Sequence, residues 1–314
     1  ALALAGASAM THELPPTIDP VAAARWAALS MPASAGPSGE APASAWLHEE
    51  VARRMEERLA WIKLRPQQWA HWEAVRGGLQ AHQLLAQRYP DAGCFVVESS
   101  PGRLQRARDV LSKPWWHPGR WKAAPTRFEA PPEGSLQMLW ANMLLHQVAD
   151  PQALIAHWHR TLAVDGFLMF SCFGPDTLRE LRELYRALGW PAPAHEFTDM
   201  HDWGDMLVQA GFAEPVMDME RITLTFPTPQ RLLQELRELG RNLHPGRFAG
   251  LRGRGWLQRL HEALAARAAG DGAPLSLTFE INYGHAFKPA PRLRVQAESQ
   301  VSLEEMRRTL RQRK

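Results

Sequence analysis

"WAHWEAVRGGLQAHQLLAQRYPDAGCFVVESSP", residues 69–101, decides the fold. A strand-like run ends at Glu73. A glycine pair follows at Gly77 and Gly78, and a helix runs from there to about Tyr89. A second short apolar strand, "CFVVE", ends on Glu98. Strand, glycine turn, helix and strand in this order read as the opening of an α/β unit. In such a unit glycines let the backbone approach a ligand at a helix N-terminus.

Outward from this segment the alternation continues. Upstream, Leu47, Val51, Met55, Leu59 and Ile62 recur at helical spacing between charged residues, which predicts an amphipathic helix ended by Pro66. Downstream, "PGRLQRARDVL" is a helix with Pro101 at its start, and "SLQMLWAN" is a strand. "DPQALIAHWHRTL" is a helix with Asp150 as N-cap and Pro151 in the first helical position. "AVDG" reads as a turn, "FLMFSCF" as a strongly apolar strand, and "PDTLRELRELYRAL" as a further helix. Continuous apolar strands alternating with helices predict a mainly parallel sheet covered on both faces, with ligands beyond the carboxyl ends of the strands. Between Phe226 and about Ala269 the pattern becomes helical and rich in arginine, which predicts an inserted helical cap over residues 229–269. "LSLTFEINYGHAFKP" then returns to strand character.

The ends differ in composition. Residues 1–44 are rich in Ala, Pro, Ser and Gly and are expected to form a flexible segment, with order from Ala45 to residue 292 and a basic tail over 293–314. "ALALAGASAM" lacks a basic region and makes a poor signal peptide. The formal net charge of +3 gives no field of the kind that draws nucleic acid. No apolar stretch nears the roughly 20 residues of a membrane span. Neither a nucleic-acid nor a membrane partner is expected, and the cytoplasm is the expected compartment. Cys94 and Cys172 sit in apolar runs, which favours buried thiols over a disulfide. The histidines show no ligand spacing with a cysteine or carboxylate, so no metal site is expected.

At "FSCFGPDTLRELR", "FTDMHDWGDMLVQAGFAEPVMDME" and "YGHAFKP" the chain resembles the malonyl-acyl-carrier-protein O-methyltransferases of biotin synthesis, which are class I S-adenosylmethionine-dependent methyltransferases. The resemblance runs from about Trp46 to Pro291. The phrase Gly174, Pro175, Asp176, Thr177 also marks members of this branch that act in respiratory complex I assembly. The resemblance implies a Rossmann-like, mainly parallel sheet of seven strands with the last antiparallel, and a cap over the active site. It further implies S-adenosylmethionine as cofactor and an acyl carrier protein or small carboxylic acid as partner.

The resemblance also implies site residues. The family's first strand ends in an acid followed, after a spacer, by Gly-x-Gly-x-Gly. Here the acid falls on Glu73 and the glycines on Val75, Gly77 and Leu79, with Gly78 beside them. Either Glu73 and "RGG" make a reshaped cofactor loop, or the segment is a plain strand-to-helix connection. Side chains at Val75 and Leu79 are expected to crowd the ligand and weaken its binding. Glu98 takes the place of the acid that binds the ribose hydroxyls, or else caps the helix at Pro101. Asn142, at the end of the fourth strand, takes the position facing the transferred methyl, or is a turn-forming residue. Trp115, Trp116 and Trp121 either stack on the adenine or fill vacated space. Arg252 and Arg254, in the turn "GLRGRG", are the first choice among the cap arginines for an acidic carrier or a free carboxylate.

Methyl transfer to a carboxylate needs little acid–base chemistry, so no catalytic dyad is expected and positioning carries the catalysis. Two functions follow. The first is an S-adenosylmethionine-dependent methyltransferase acting on a carboxylate such as malonyl-acyl carrier protein. The alternative is a degenerate methyltransferase-fold protein with weak or no cofactor binding, serving as a binding or assembly factor.

Overall fold

The computed structural model describes residues 18–29, 44–112, 124–271 and 274–291. Trp115, Trp116, Trp121 and the basic tail lie outside these residues. The strands are β1 (Gln68–Trp72), β2 (Gly93–Val97), β3 (Thr126–Arg127), β4 (Leu136–Ala141), β5 (Leu162–Phe173), β6 (Ala213–Phe226) and β7 (Leu275–Phe287). They form one sheet in the order β3-β2-β1-β4-β5-β7-β6. All pairings are parallel except those of β7, which runs antiparallel to β5 and β6. This is the Rossmann-like sheet with an antiparallel last strand that the resemblance implied.

The helices are α1 (Pro20–Ala28), α2 (Trp46–Arg58), α3 (Ala74–Gly77), α4 (Leu79–Arg88), α5 (Pro101–Leu111), α6 (Pro151–Thr161), α7 (Arg179–Ala187), α8 (Met200–Gln209), α9 (Pro229–Leu239) and α10 (Arg254–Asp271). They cover both faces of the sheet. Val51 and Met55 of α2, Leu85 of α4, Leu181 of α7, Leu232 of α9 and Leu260 of α10 share one buried layer. Ile155 and Trp158 of α6 and Trp203 and Leu207 of α8 share the other. Cys94 belongs to the first layer and Cys172 to the second, and both are free thiols. The sheet itself separates them. Gly284 of β7 pairs with Phe170 of β5, and a Cβ at Gly284 would enter the Phe170 ring, so only glycine fits there.

The structure departs from the sequence reading in four places. Order does not begin at Ala45. Asp19 accepts hydrogen bonds from the Val21 and Ala22 amides and Pro20 opens α1, a helix inside the segment expected to be flexible. The helix expected to reach Pro66 ends at Arg58 and passes into a tight 3-10 turn, Leu59–Trp61. "AVDG" is not a free turn. Asp165 has φ of 63° and donates its amide to the Lys288 carbonyl, which carries the irregular start of β5 alongside the sheet. The helix after "GPDT" starts only at Arg179, because Leu178 is left-handed and its amide bonds the Thr278 carbonyl of β7. The cap region is helical at α9 and α10, and the stretch between them is irregular.

Candidate functional site

Parallel pairing sets Trp72 beside Val97, so Glu73 and Glu98 stand next to one another at the carboxyl ends of β1 and β2. Glu73 turns the chain in the left-handed region, with φ of 58°, and its amide donates to the Val97 carbonyl. Both carboxylates point inward onto a single cation, Arg103 of the first turn of α5, which is 1% exposed. Its Nε donates to Glu98 Oε2 at 3.0 Å and its Nη2 to Glu73 Oε2 at 2.7 Å and Ser99 Oγ at 2.9 Å. Its Nη1 donates to the Ala27 and Leu29 carbonyls at 2.7 and 2.8 Å. A guanidinium has five N–H donors, and all five are taken. The remaining carboxylate oxygens are also engaged: Glu98 Oε1 accepts from the Val75 amide at 2.7 Å, and Glu73 Oε1 from the Ser99 amide at 2.8 Å. Burial, and after it the neighbouring Glu73 carboxylate, push Glu98 up to about 8.

The glycine turn is built differently from the expectation. Residues 74–77 form the helical turn α3, and Val75 and Leu79 point into the core, 0% and 1% exposed. They do not crowd a ligand space, so the expected obstruction by those two side chains is absent. The amide donors of the turn are satisfied from elsewhere. Ser44 Oγ accepts from the Leu79 amide at 3.0 Å, and the Glu49 carboxylate accepts from the Gln80 and Ala81 amides, both at 3.1 Å. Gly78 has φ of 130°, a conformation that favours glycine, and a Cβ there would lie 2.8 Å from Glu49 Oε2 and displace that carboxylate. Gly77 packs against Asn142, whose carbonyl oxygen would lie 3.1 Å from an added Cβ. Asn142 is buried; its Nδ2 donates to the His48 carbonyl at 2.8 Å and to the Gly77 carbonyl, and its Oδ1 accepts from Ser171 at 2.6 Å. The structure therefore brings Glu73, Gly77, Gly78, Glu98 and Asn142 together at one end of the sheet.

Beside this cluster, under the cap, lies a cavity of about 320 Å³. Its walls are largely apolar, with Phe173 at the end of β5, Leu181 and Tyr185 of α7, Leu236 of α9, and Trp256 and Leu260 of α10. His146, Gln147 and His195 supply polar atoms, and Arg237 and Arg241 of the cap complete the wall. Burial pushes His195 down to about 4 and His146 well below its ordinary value, so both are neutral at pH 7. Arg252 and Arg254 do not line this cavity. Arg252 stacks on Phe248 and Trp256, 4.4 and 4.3 Å from the ring centroids, and Arg254 is exposed at the start of α10. Among the described residues no group of His, Cys, Asp and Glu is placed to hold a metal ion.

Sequence reasoning missed α1 and Arg103. The signal for α1 was present, because Asp19-Pro20 is the same cap that marks α6 at Asp150-Pro151. Arg103 carried no such signal, being one of several arginines in "PGRLQRARDVL".

No family model matches the chain. The chain is 41% identical over 259 residues to the malonyl-[acyl-carrier protein] O-methyltransferase of Gallionella capsiferriformans, covering 80% of this chain and 87% of that protein. It is 39% identical to the enzyme of the same name from Laribacter hongkongensis, covering 80% and 86%. Among solved structures, the fold matches the YcgJ protein of Bacillus subtilis with a TM-score of 0.51 at 13% identity, covering 77% of this chain and 99% of that one. A proposed methyltransferase of Bacillus halodurans C-125 matches equally, with a TM-score of 0.51. The sheet order and the length and identity of these matches agree: the chain belongs to the malonyl-acyl-carrier-protein O-methyltransferase family of S-adenosylmethionine-dependent methyltransferases.

Proposed function

We propose that the protein methylates a carboxylate presented on an acyl carrier protein, malonyl-acyl carrier protein being the leading acceptor, and that the cavity under the cap receives it. The observation that carries this is the cavity's make-up: apolar walls of Leu181, Leu236, Leu260 and Phe173 with Arg237 and Arg241 among them. Such a site accepts an acyl arm with one negative end. A carboxylate is ionised at neutral pH, so the site has to orient it and exclude water, and needs no base. The neutral state of His146 and His195 suits this, since neither adds charge to the wall. With that acceptor the reaction belongs to biotin synthesis, in the cytoplasm; no helix of the described residues is long and apolar enough to cross a membrane.

As folded, the ends of β1 and β2 do not fit S-adenosylmethionine. Glu73 and Glu98, which the family turns toward the cofactor, are saturated by Arg103, Ser99 and the Val75 amide. The same observation favours a second reading, a binding or assembly protein on a methyltransferase fold. Incubation with S-adenosylmethionine and malonyl-acyl carrier protein, followed by intact mass measurement of the carrier, separates the two. The expected product is a methyl ester, and its yield should fall about tenfold or more in Arg237→Ala/Arg241→Ala, the loss of a charge-assisted contact. A carrier that stays unmethylated at long incubation would exclude the enzyme reading.

A further inference from the structure

We propose that α1 and Arg103 form an intrachain plug that competes with S-adenosylmethionine for Glu73 and Glu98, so that α1 must withdraw for the cofactor to enter. This rests on the methyltransferase reading of the site. The plug has two parts. Arg103 supplies the two carboxylates with the hydrogen-bond donors that a ribose would bring. The carboxyl end of α1 supplies Arg103 with its other acceptors, the Ala27 and Leu29 carbonyls, where a helix terminus favours a cation. Ser100 adds a contact from its Oγ to the Ala28 carbonyl at 3.3 Å. Arg103 thus draws two of its five hydrogen bonds in its buried position from α1. Without α1 two of its five donors lose these carbonyl partners, and that end of the guanidinium opens to water.

α1 is attached to the rest of the fold by a separable set of contacts. Ile18, Ala23 and Trp26 form a small apolar cluster with Leu243 of the cap, apart from the two main layers. Asp19 pairs with Arg247 at 2.6 Å, and its amide donates to the Leu243 carbonyl at 2.8 Å. Trp26 is the centre of the attachment. Arg76 of the glycine turn lies 3.8 Å from its ring centroid and Arg241 of the cap 5.0 Å, and its Nε1 donates to Gln147. Gln147 and Arg241 both belong to the cavity wall. One small helix thus closes the cofactor end and braces the acceptor cavity, and its withdrawal would open both together. Binding to a protein whose competent state is a minor population is weakened by that fraction, and destabilising the closed state restores it.

The test is calorimetric titration of S-adenosylhomocysteine into the full-length wild type, Asp19→Ala/Trp26→Ala and Arg103→Met, with hydrogen exchange of residues 20–29 followed in parallel. The double variant leaves both carboxylates and Arg103 untouched and is expected to bind about tenfold more tightly than wild type. In the wild type, saturating ligand should speed exchange across residues 20–29. Arg103→Met should loosen those residues without ligand; should it fail to fold, the double variant still decides. Equal affinities for wild type and double variant, exchange in 20–29 unchanged or slowed by ligand, or no binding by any of the three proteins would each overturn the plug. Tighter binding in the double variant without methyl transfer to malonyl-acyl carrier protein would keep the plug and sink the acceptor assignment. Methyl transfer with equal affinities would do the reverse.

Discussion

At the scale of single residues, the positions that depart from the glycine motif turn out to be core positions. Val75 and Leu79 are fully buried, so exchanging both for glycine removes packing and opens no path to a ligand. Val75→Gly/Leu79→Gly is expected to lose roughly 5 kcal/mol of stability, from two buried side chains removed and two helical residues made glycine. Cofactor affinity should not rise; urea unfolding and calorimetry check both, and a stable, tighter-binding variant would show the side chains to be obstructions after all. Glu98 gives a second prediction. Its folded value is raised from 4.5 to about 8 by burial and by Glu73. A raised acid binds its proton more tightly in the folded state, so the stability it contributes is lost as pH rises from about 4.5 toward 8. Glu98→Gln cannot titrate, and thermal melts should show it gaining on the wild type steadily between pH 5 and pH 8. Parallel melting curves over that range would mean that Glu98 is ionised throughout.

At the scale of elements, legibility followed where each element's contacts come from. β1, β2, β4 and the apolar part of β5 were readable because both faces are buried, which leaves a continuous apolar run. The same pattern placed Glu73 and Glu98 at the ends of their strands, and the parallel register sets those ends side by side. β6 was not, since it is an edge strand whose residues alternate between half-buried and exposed and carry Glu214, Asp218, Glu220 and Arg221. Arg103 was illegible for a different reason: its acceptors on α1 lie 74 and 76 residues away in sequence. The turn before α10 carries the prediction at this scale. Arg252 covers Trp256 and Phe248, so Arg252→Ala should cost about 1 kcal/mol through lost stacking. Arg254 is exposed at a helix start, and Arg254→Ala should stay within about 0.5 kcal/mol of wild type. If this turn also meets an acidic carrier, the double variant binds the carrier several-fold more weakly at low salt, and the difference shrinks as salt is added. Equal carrier affinity at low salt would leave both as ordinary surface arginines.

At the scale of the whole molecule, buried and half-buried histidines at separate points along one layer of the fold set the acid limit. Burial pushes His48, His82, His195 and His285 each from 6.5 to about 4. They lie on α2, on α4, beside the cavity and on β7, so no local repair relieves them all. A histidine held below its unfolded value favours the folded state above pH 6.5, and that stability is lost as pH falls toward 4. Each group contributes a slope of about 1.4 kcal/mol per pH unit within the window, and four together roughly 6 kcal/mol per pH unit, so a fall of one unit is comparable to the whole stability of an ordinary domain. The opposing effect of Glu98 is a single group acting from about pH 4.5 to 8, so the histidines decide the sign below pH 6.5 and Glu98 acts alone above it. The protein should therefore be most stable near pH 6.5 to 7 and unfold cooperatively near pH 5, well above the range in which its surface carboxylates titrate. Denaturant midpoints measured from pH 7.5 down to pH 5 should fall steeply below pH 6.5. Replacing His82 and His285 by Phe, which keeps an aromatic ring in place of each imidazole, should make that fall shallower by about two such increments. A midpoint that holds constant down to pH 5 would show that these histidines become charged in the folded protein at no cost.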